Sequence, residues 1–174
     1  MSTLPTNEKT TFRLVHEFDA PRELVFNSFS TAEALNEWWG PVESRNSVIR
    51  LDFRSGGIFH FKMEFSGMTS YGRFVFGKIE PYVLLEFTNA FADEHANVVK
   101  APFDMQFPLE IFYRLEFTEH NGKTTITLTG QPVNASPEEM QGFLAINASM
   151  QQGFGSTFDK LSAYLGKARS KPQG

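Results

Sequence analysis

The chain has 174 residues, 41% hydrophobic and 21% charged, with a formal net charge of −4. That length fits one domain able to bury its own core. It has no cysteine, which excludes disulfides, thiolate metal sites and thiol catalysis, and no basic block, which argues against a nucleic-acid partner.

Residues 1–9 and 167–174 read as polar, flexible tails around a single domain at 10–166. The first residues lack the apolar segment of a secretory signal. No apolar run approaches the ~20 residues that span a bilayer, so the expectation is a cytoplasmic protein without a membrane partner. The unusual feature is aromatic content: 19 Phe, 4 Tyr and 2 Trp.

The first strand is TFRLVHEF, with Phe12, Leu14, His16 and Phe18 on one face and Arg13 and Glu17 on the other. Pro21 then suits the first turn of a helix carrying Leu24, Val25 and Phe29. Ser30 with Glu33 reads as a capping box for a second short helix. It runs to Trp39 and is stopped by Gly40-Pro41. Leu35, Trp38 and Trp39 stand at i, i+3 and i+4 on it, so both rings share one stripe and diverge by ~100° about the axis. Trp38 is expected in the core and Trp39 nearer a cavity mouth.

The middle of the chain is β. Ile49, Leu51 and Phe53 alternate with Arg50, Asp52 and Arg54, and Gly56-Gly57 turns the chain. Phe59, Phe61, Met63 and Phe65 oppose His60, Lys62 and Glu64, which read as solvated surface. Strands follow at SYGRFVFGKI and VLLEFTN, then a long irregular segment at 90–108 with Phe91, Phe103 and Phe107. It is a lid, an edge cover, a dimer contact or a loop packed on its own domain. LEIFYRLEFTE and KTTITLTG are joined by Asn121-Gly122, a strong hairpin signal. One-sided alternation in successive strands implies an antiparallel sheet with one buried face. Its cover comes last. Ser136, Pro137 and Glu139 start a helix whose stripe runs from Met140 through Phe143, Leu144, Asn147, Met150, Phe154, Phe158 and Leu161 to Leu165. It is expected to be a single helix of ~45 Å.

This order resembles the helix-grip fold of the START-like (SRPBCC, birch-pollen-allergen-like) superfamily, an α+β fold. There a curved antiparallel sheet of about six to seven strands wraps a long C-terminal helix, with two short helices after the first strand. FDAPRELVFNSFSTAEALNEWWGP resembles the N-terminal signature of the family named after the activator of heat-shock protein 90 ATPase. LDFRSGGIFHFKM is similar to its Asp-x-Arg-x-Gly-Gly-x-aromatic segment, and SMQQGFGSTFDKLSAYL to its C-terminal helix. There Gly153-Phe154 stands where Gly-Trp is common. The insert TNAFADEHANVVKAPFDMQFPLEI resembles a bacterial subgroup. The chain departs from the pattern at Pro81-Tyr82-Val83-Leu84-Leu85, where the family usually carries Pro-Glu-Arg-Leu. The resemblance implies the single-domain bacterial type, and related helix-grip proteins bind lipids, hormones or polyketides.

A sheet gripping a helix leaves a cavity where inward side chains do not fill it. The expected lining is Phe59, Phe61, Met63, Tyr113, Leu115, Met150 and Phe154, with Trp38 or Trp39 at one end. The same residues also read as plain core. His16, Tyr113, Asn147 and the pair Tyr71 and Arg73, sharing a face with Val75 and Ile79, are the inward polar groups. No histidine pair has metal-ligand spacing, and there is no nucleophile elbow or phosphate loop. No catalytic residue, metal or cofactor is assigned. Glu110 and Asp104 are remote candidates for acid–base work. The leading expectation is binding of a small hydrophobic ligand. The alternatives are a cyclase or hydratase acting on a polyketide-like substrate through His16, Tyr113 or Asn147, and a chaperone ATPase co-factor acting through its surface, the less favoured partner. Homodimer formation is left open.

Overall fold

The computed structural model describes residues 12–40, 43–101 and 106–170. Pro41, Phe103 and Asp104 lie outside them. The elements run β1 (Phe12–Phe18), α1 (Arg22–Asn27), α2 (Ala32–Trp38), β2 (Arg45–Leu51), β3 (Ile58–Phe65), β4 (Met68–Glu80), β5 (Leu84–Ala92), β6 (Ile111–His120), β7 (Lys123–Pro132), α3 (Pro137–Ala145) and α4 (Asn147–Ser170). The strands form one seven-stranded antiparallel sheet in the order β1-β7-β6-β5-β4-β3-β2. α4 lies on its inner face, and the whole is a helix-grip fold. No helix among the described residues is long and apolar enough to cross a membrane.

Local sequence explains the joints. Asn121 and Gly122 take φ of 53° and 76°, and Ser66 and Gly67 take 52° and 77°. Paired positive φ is what a two-residue turn between twisted strands requires. His120 pairs with Lys123 across one turn, and Phe65 with Met68 across the other. Ser136 Oγ accepts from Glu139 N while Glu139 Oε1 accepts from Ser136 N, a complete capping box. α2 is capped by Thr31, whose Oγ1 accepts from Ala34 N. Ser30 is not the cap. Its hydroxyl donates back to the Asn27 carbonyl in the turn that closes α1.

Cross-strand register assigns the faces. Phe59, Phe61, Phe74, Phe76, Phe87, Leu115, Phe117, Ile126 and Leu128 point inward and are buried. Two bulges correct the expected alternation. An extra residue in β2 between Val48 and Arg50 turns Ile49 out to 50% exposure, while Val48 packs on the core in its stead. A second bulge, in β4 between Phe76 and Ile79, brings Ile79 inward opposite Leu85. It leaves Tyr71, Arg73 and Val75 on the outer face, so these three do not share a face with Ile79.

The turn after β5 covers part of the outer face. β5 runs through Ala90, Phe91 and Ala92, shortening the segment expected to be irregular, and the chain then turns at 93–97. Asp93 builds that turn: Oδ1 accepts from His95 N and Asn97 N, and Oδ2 from Asn97 Nδ2. These bonds, the Asn97 backbone first, lower the Asp93 carboxyl below its ordinary value. Arg73 Nη1 donates to the Ala96 carbonyl at 2.9 Å. His60 Nε2 lies 3.0 Å from the Asp93 carbonyl oxygen, so the proton belongs on Nε2. His60 is therefore buried, at 4% exposure, rather than solvated, because the turn folds over it.

The expected single C-terminal helix is two. Ile146, at φ −103° and ψ 14°, ends α3, and Met150 N then bonds to the Ile146 carbonyl at 2.9 Å as α4 begins. Ile146 and Asn147 are weaker helix formers than their neighbours. The break lets Phe143 bury completely while Leu144 stays 38% exposed. α4 continues to Ser170, into the stretch read as a tail.

Candidate functional site

The two neighbouring tryptophans take different roles. Trp38 is fully buried, and its Nε1 donates to the Ser28 carbonyl at 2.9 Å, tying α2 to the turn after α1. Trp39 is the C-cap, where the backbone turns extended, and this swings its ring to the other side. There it meets Phe61, Phe74 and Phe154 nearly edge-to-face, at centroid distances of 5.9, 5.1 and 6.4 Å. Its Nε1 is buried and has no hydrogen-bond partner among the described residues.

Trp39 forms one wall of a pocket of about 300 Å³ between sheet and α4, partly open to solvent. Phe61 and Met63 of β3 and Ser70 and Gly72 of β4 line the floor. Asn89, Ala90 and Phe91 of β5 continue it, with Ile111 and Tyr113 of β6. Ile146 at the helix break and Met150, Gly153, Phe154 and Thr157 of α4 close the top, and Phe107 and Gly40 stand at the sides.

Glycines make this space. A β-carbon on Gly72 would stand 2.5 Å from Phe61 Cζ, and one on Gly130 would stand 2.5 Å from Tyr113 Cε1. Each aromatic ring therefore packs directly against the glycine opposite it in the ladder, Phe61 on Gly72 and Tyr113 on Gly130. At Gly153 a β-carbon would meet nothing within 4 Å, since that point faces the open pocket.

Of the sequence-derived candidates, Trp39, Phe61, Met63, Tyr113, Met150 and Phe154 converge on this pocket. Tyr71 borders it, but its ring sits on the outer face beside His60, at a centroid distance of 6.0 Å. Phe59, Leu115 and Trp38 are sealed in the core and do not line it. Arg73 stands on the outer face, 3.9 Å from Glu110 Oε2, so neither reaches the pocket. Asn147 misses it because the helix break turns Ile146 in instead.

His16 faces inward but at another level, against Phe18 and Phe158 at 4.5 and 5.6 Å. Its Nε2 is 3.5 Å from Ser162 Oγ. Burial lowers its pKa, and the Asp159 charge works weakly the other way. His16, Tyr113 and Asn147 are thus not brought together at the pocket. The glycine spacing, Ser70, Asn89 and Thr157 were not singled out from sequence. From sequence Phe91 reads as part of an irregular segment, whereas Ala90-Phe91-Ala92 simply prolongs the alternation of β5 and brings Phe91 to the pocket as a strand residue.

Among the described residues the lining carries no Asp, Glu, Lys, Arg or His. Burial pushes the Tyr113 phenol above its ordinary value of 10.0, so the group is a neutral O–H. Lys160 of α4 donates to the Gly40 carbonyl at 3.2 Å from behind the wall, and desolvation lowers its pKa. Among the described residues no group of three or more His, Asp or Glu could hold a metal ion.

Known proteins share this architecture. A protein from Arthrobacter aurescens is 27% identical, with a TM-score of 0.76 over 92% of this chain and 88% of its own. One from Mycobacterium smegmatis is 26% identical, with a TM-score of 0.73 over 91% of each chain. The AHSA1 protein of Silicibacter pomeroyi, 20% identical over 91% of this chain and 99% of its own, has the same fold with a TM-score of 0.69. No curated protein matches the chain. The sequence profile of the activator of Hsp90 ATPase homolog 1-like protein family matches residues 19–166, from the end of β1 through most of α4, and the chain belongs to that family.

Proposed function

We propose that this protein binds a small hydrophobic ligand in the pocket between the sheet and α4. The observation that carries this reading is the pocket itself: about 300 Å³ walled by aromatic, aliphatic and thioether side chains, with no charged group among the described residues that line it. That volume is at the lower end of the range of small-molecule sites, roughly 300–1,000 Å³. Empty apolar volume of this kind forfeits dispersion contacts that a close-packed interior would make. Here cross-strand glycines keep it open rather than chance underpacking, which supports a use for the space. Met63 and Met150 adapt their shape to an occupant at low cost.

The test is native mass spectrometry of protein purified from its own host, followed by titration with an apolar fluorophore. A co-purifying small molecule, or saturable fluorophore binding lost when Gly153 is replaced by Leu, is expected. An unliganded mass together with no saturable binding would overturn the reading.

A further inference from the structure

The polar groups of the pocket narrow the chemistry of its occupant. Thr157 Oγ1 donates to the Gly153 carbonyl at 2.9 Å, and Asn89 Nδ2 to the Arg73 carbonyl at 3.1 Å. Tyr113 differs. It is 2% exposed and lines the pocket, and its hydroxyl has no hydrogen-bond partner among the described residues. Unlike Trp39 Nε1, which is sealed and unpartnered, the Tyr113 hydroxyl is not among the sealed orphan atoms, so an occupant of the pocket can reach it and satisfy it. The ring cannot swing away to look for a partner elsewhere, since it lies on the Gly130 backbone on one side and against Phe154, 5.3 Å away, on the other.

We propose that the occupant is an uncharged, mainly aromatic or aliphatic molecule bearing a hydrogen-bond-accepting oxygen, a ketone or ester carbonyl, which receives the O–H of Tyr113. This rests on the binding role proposed above. The lining argues against ionised ligands such as fatty-acid carboxylates. Its described residues offer no counter-charge, and an ion buried without one bears the full cost of desolvation. The cations nearby are engaged elsewhere: Lys160 with the Gly40 carbonyl, Arg73 with Ala96 and Glu110 on the outer face. The edge-to-face rings around Trp39 and Phe154 favour an aromatic body.

Three naphthalene probes test this: a methyl naphthyl ketone, the alkene in which a methylene group replaces its carbonyl oxygen, and naphthoate. Affinities are measured by calorimetry on the full chain and on Tyr113→Phe. The ketone is expected to bind the native protein about five- to tenfold more tightly than the alkene, the scale of one buried hydrogen bond. Naphthoate is expected to bind weakest. In Tyr113→Phe the ketone's advantage should vanish while the alkene keeps its affinity. Equal binding of ketone and alkene by the native protein, tightest binding of naphthoate, or a ketone preference that survives Tyr113→Phe would each overturn the proposal while leaving the binding role standing. If none of the three binds while the apolar fluorophore binds saturably, this proposal fails and the binding role stands; if the fluorophore does not bind either and the native mass is unliganded, both fail. The comparison of ketone with alkene on the native protein needs no variant, so poor folding of Tyr113→Phe would not shield the proposal.

Discussion

The ring of Tyr113 rests on Gly130, its partner in the β6–β7 ladder, at a distance where no side chain on residue 130 would fit. A β-carbon there would meet Cε1 at 2.5 Å and Cδ1 at 2.7 Å, well inside contact. Tyr113 is buried among Phe87 and Phe154, so the ring must move into the pocket or the strands must part. Gly130→Ala is therefore expected to cost about 1–3 kcal/mol, the usual range for overpacking. Urea denaturation measures it. Combined with Tyr113→Ala, the same substitution should cost almost nothing, because the clash partner is gone. An undiminished penalty in the double variant would mean that Gly130 serves the backbone and not the ring.

Gly153 and Gly155 sit two residues apart in α4, and neither would bring a β-carbon within 4 Å of a neighbour. Glycine in a helix interior is about 1 kcal/mol less favourable than alanine. Both Gly153→Ala and Gly155→Ala should therefore raise stability by about that amount in thermal or chemical denaturation. Only Gly153 lines the pocket. Gly153→Leu should leave the fold intact and abolish binding of an apolar probe, whereas Gly155→Leu should not affect it. Loss of binding in both would point to a change in the helix and not in the pocket.

Sequence patterning carried the architecture because each strand buries one face. Phe12 to Phe18 and Ile111 to Phe117 alternate cleanly, and the burial follows. The errors come where a local count of two is interrupted. One extra residue at the β2 bulge exposes Ile49, and another in β4 separates Arg73 from Ile79. Such insertions leave no trace in composition. His60 is buried by a turn 33 residues downstream, a contact that no window around His60 contains. In the pocket, the aromatic and methionine members were legible as an inward stripe. The glycines that hold the space open were not, because each is explained only by the residue across the ladder.

His16 gives the stability a pH dependence whose sign follows from burial. Desolvation lowers its folded pKa from 6.5, so the folded state holds the imidazole neutral. Below pH 6.5 the unfolded chain binds the proton more readily than the folded one. Stability is then fully present above the unfolded value, and it declines as pH falls from 6.5 to the folded value. Urea midpoints measured between pH 7.5 and about 5 should fall for the native protein. In His16→Leu, whose side chain still packs against Phe18 and Phe158, the decline should be shallower. An identical decline in both would assign it to other groups.

Trp38 and Trp39 offer the sharpest contrast, since one side-chain change at adjacent positions should give opposite readouts. Trp38→Phe removes the donor to the buried Ser28 carbonyl and leaves a void in a fully packed site. Together these are expected to cost about 2–3 kcal/mol, with little effect on an apolar ligand because Trp38 does not line the pocket. Trp39→Phe deletes an N–H that has no acceptor among the described residues, so no hydrogen bond is lost and a desolvated donor is relieved. The smaller ring still gives up contacts with Phe61 and Phe74, leaving a net cost of about 1 kcal/mol or less. It also enlarges the pocket at its wall. Binding of the naphthyl ketone should weaken measurably in Trp39→Phe and hold in Trp38→Phe, while denaturation ranks the two variants the other way. If both variants change stability and binding in parallel, the two rings act as one unit and the division between them is wrong.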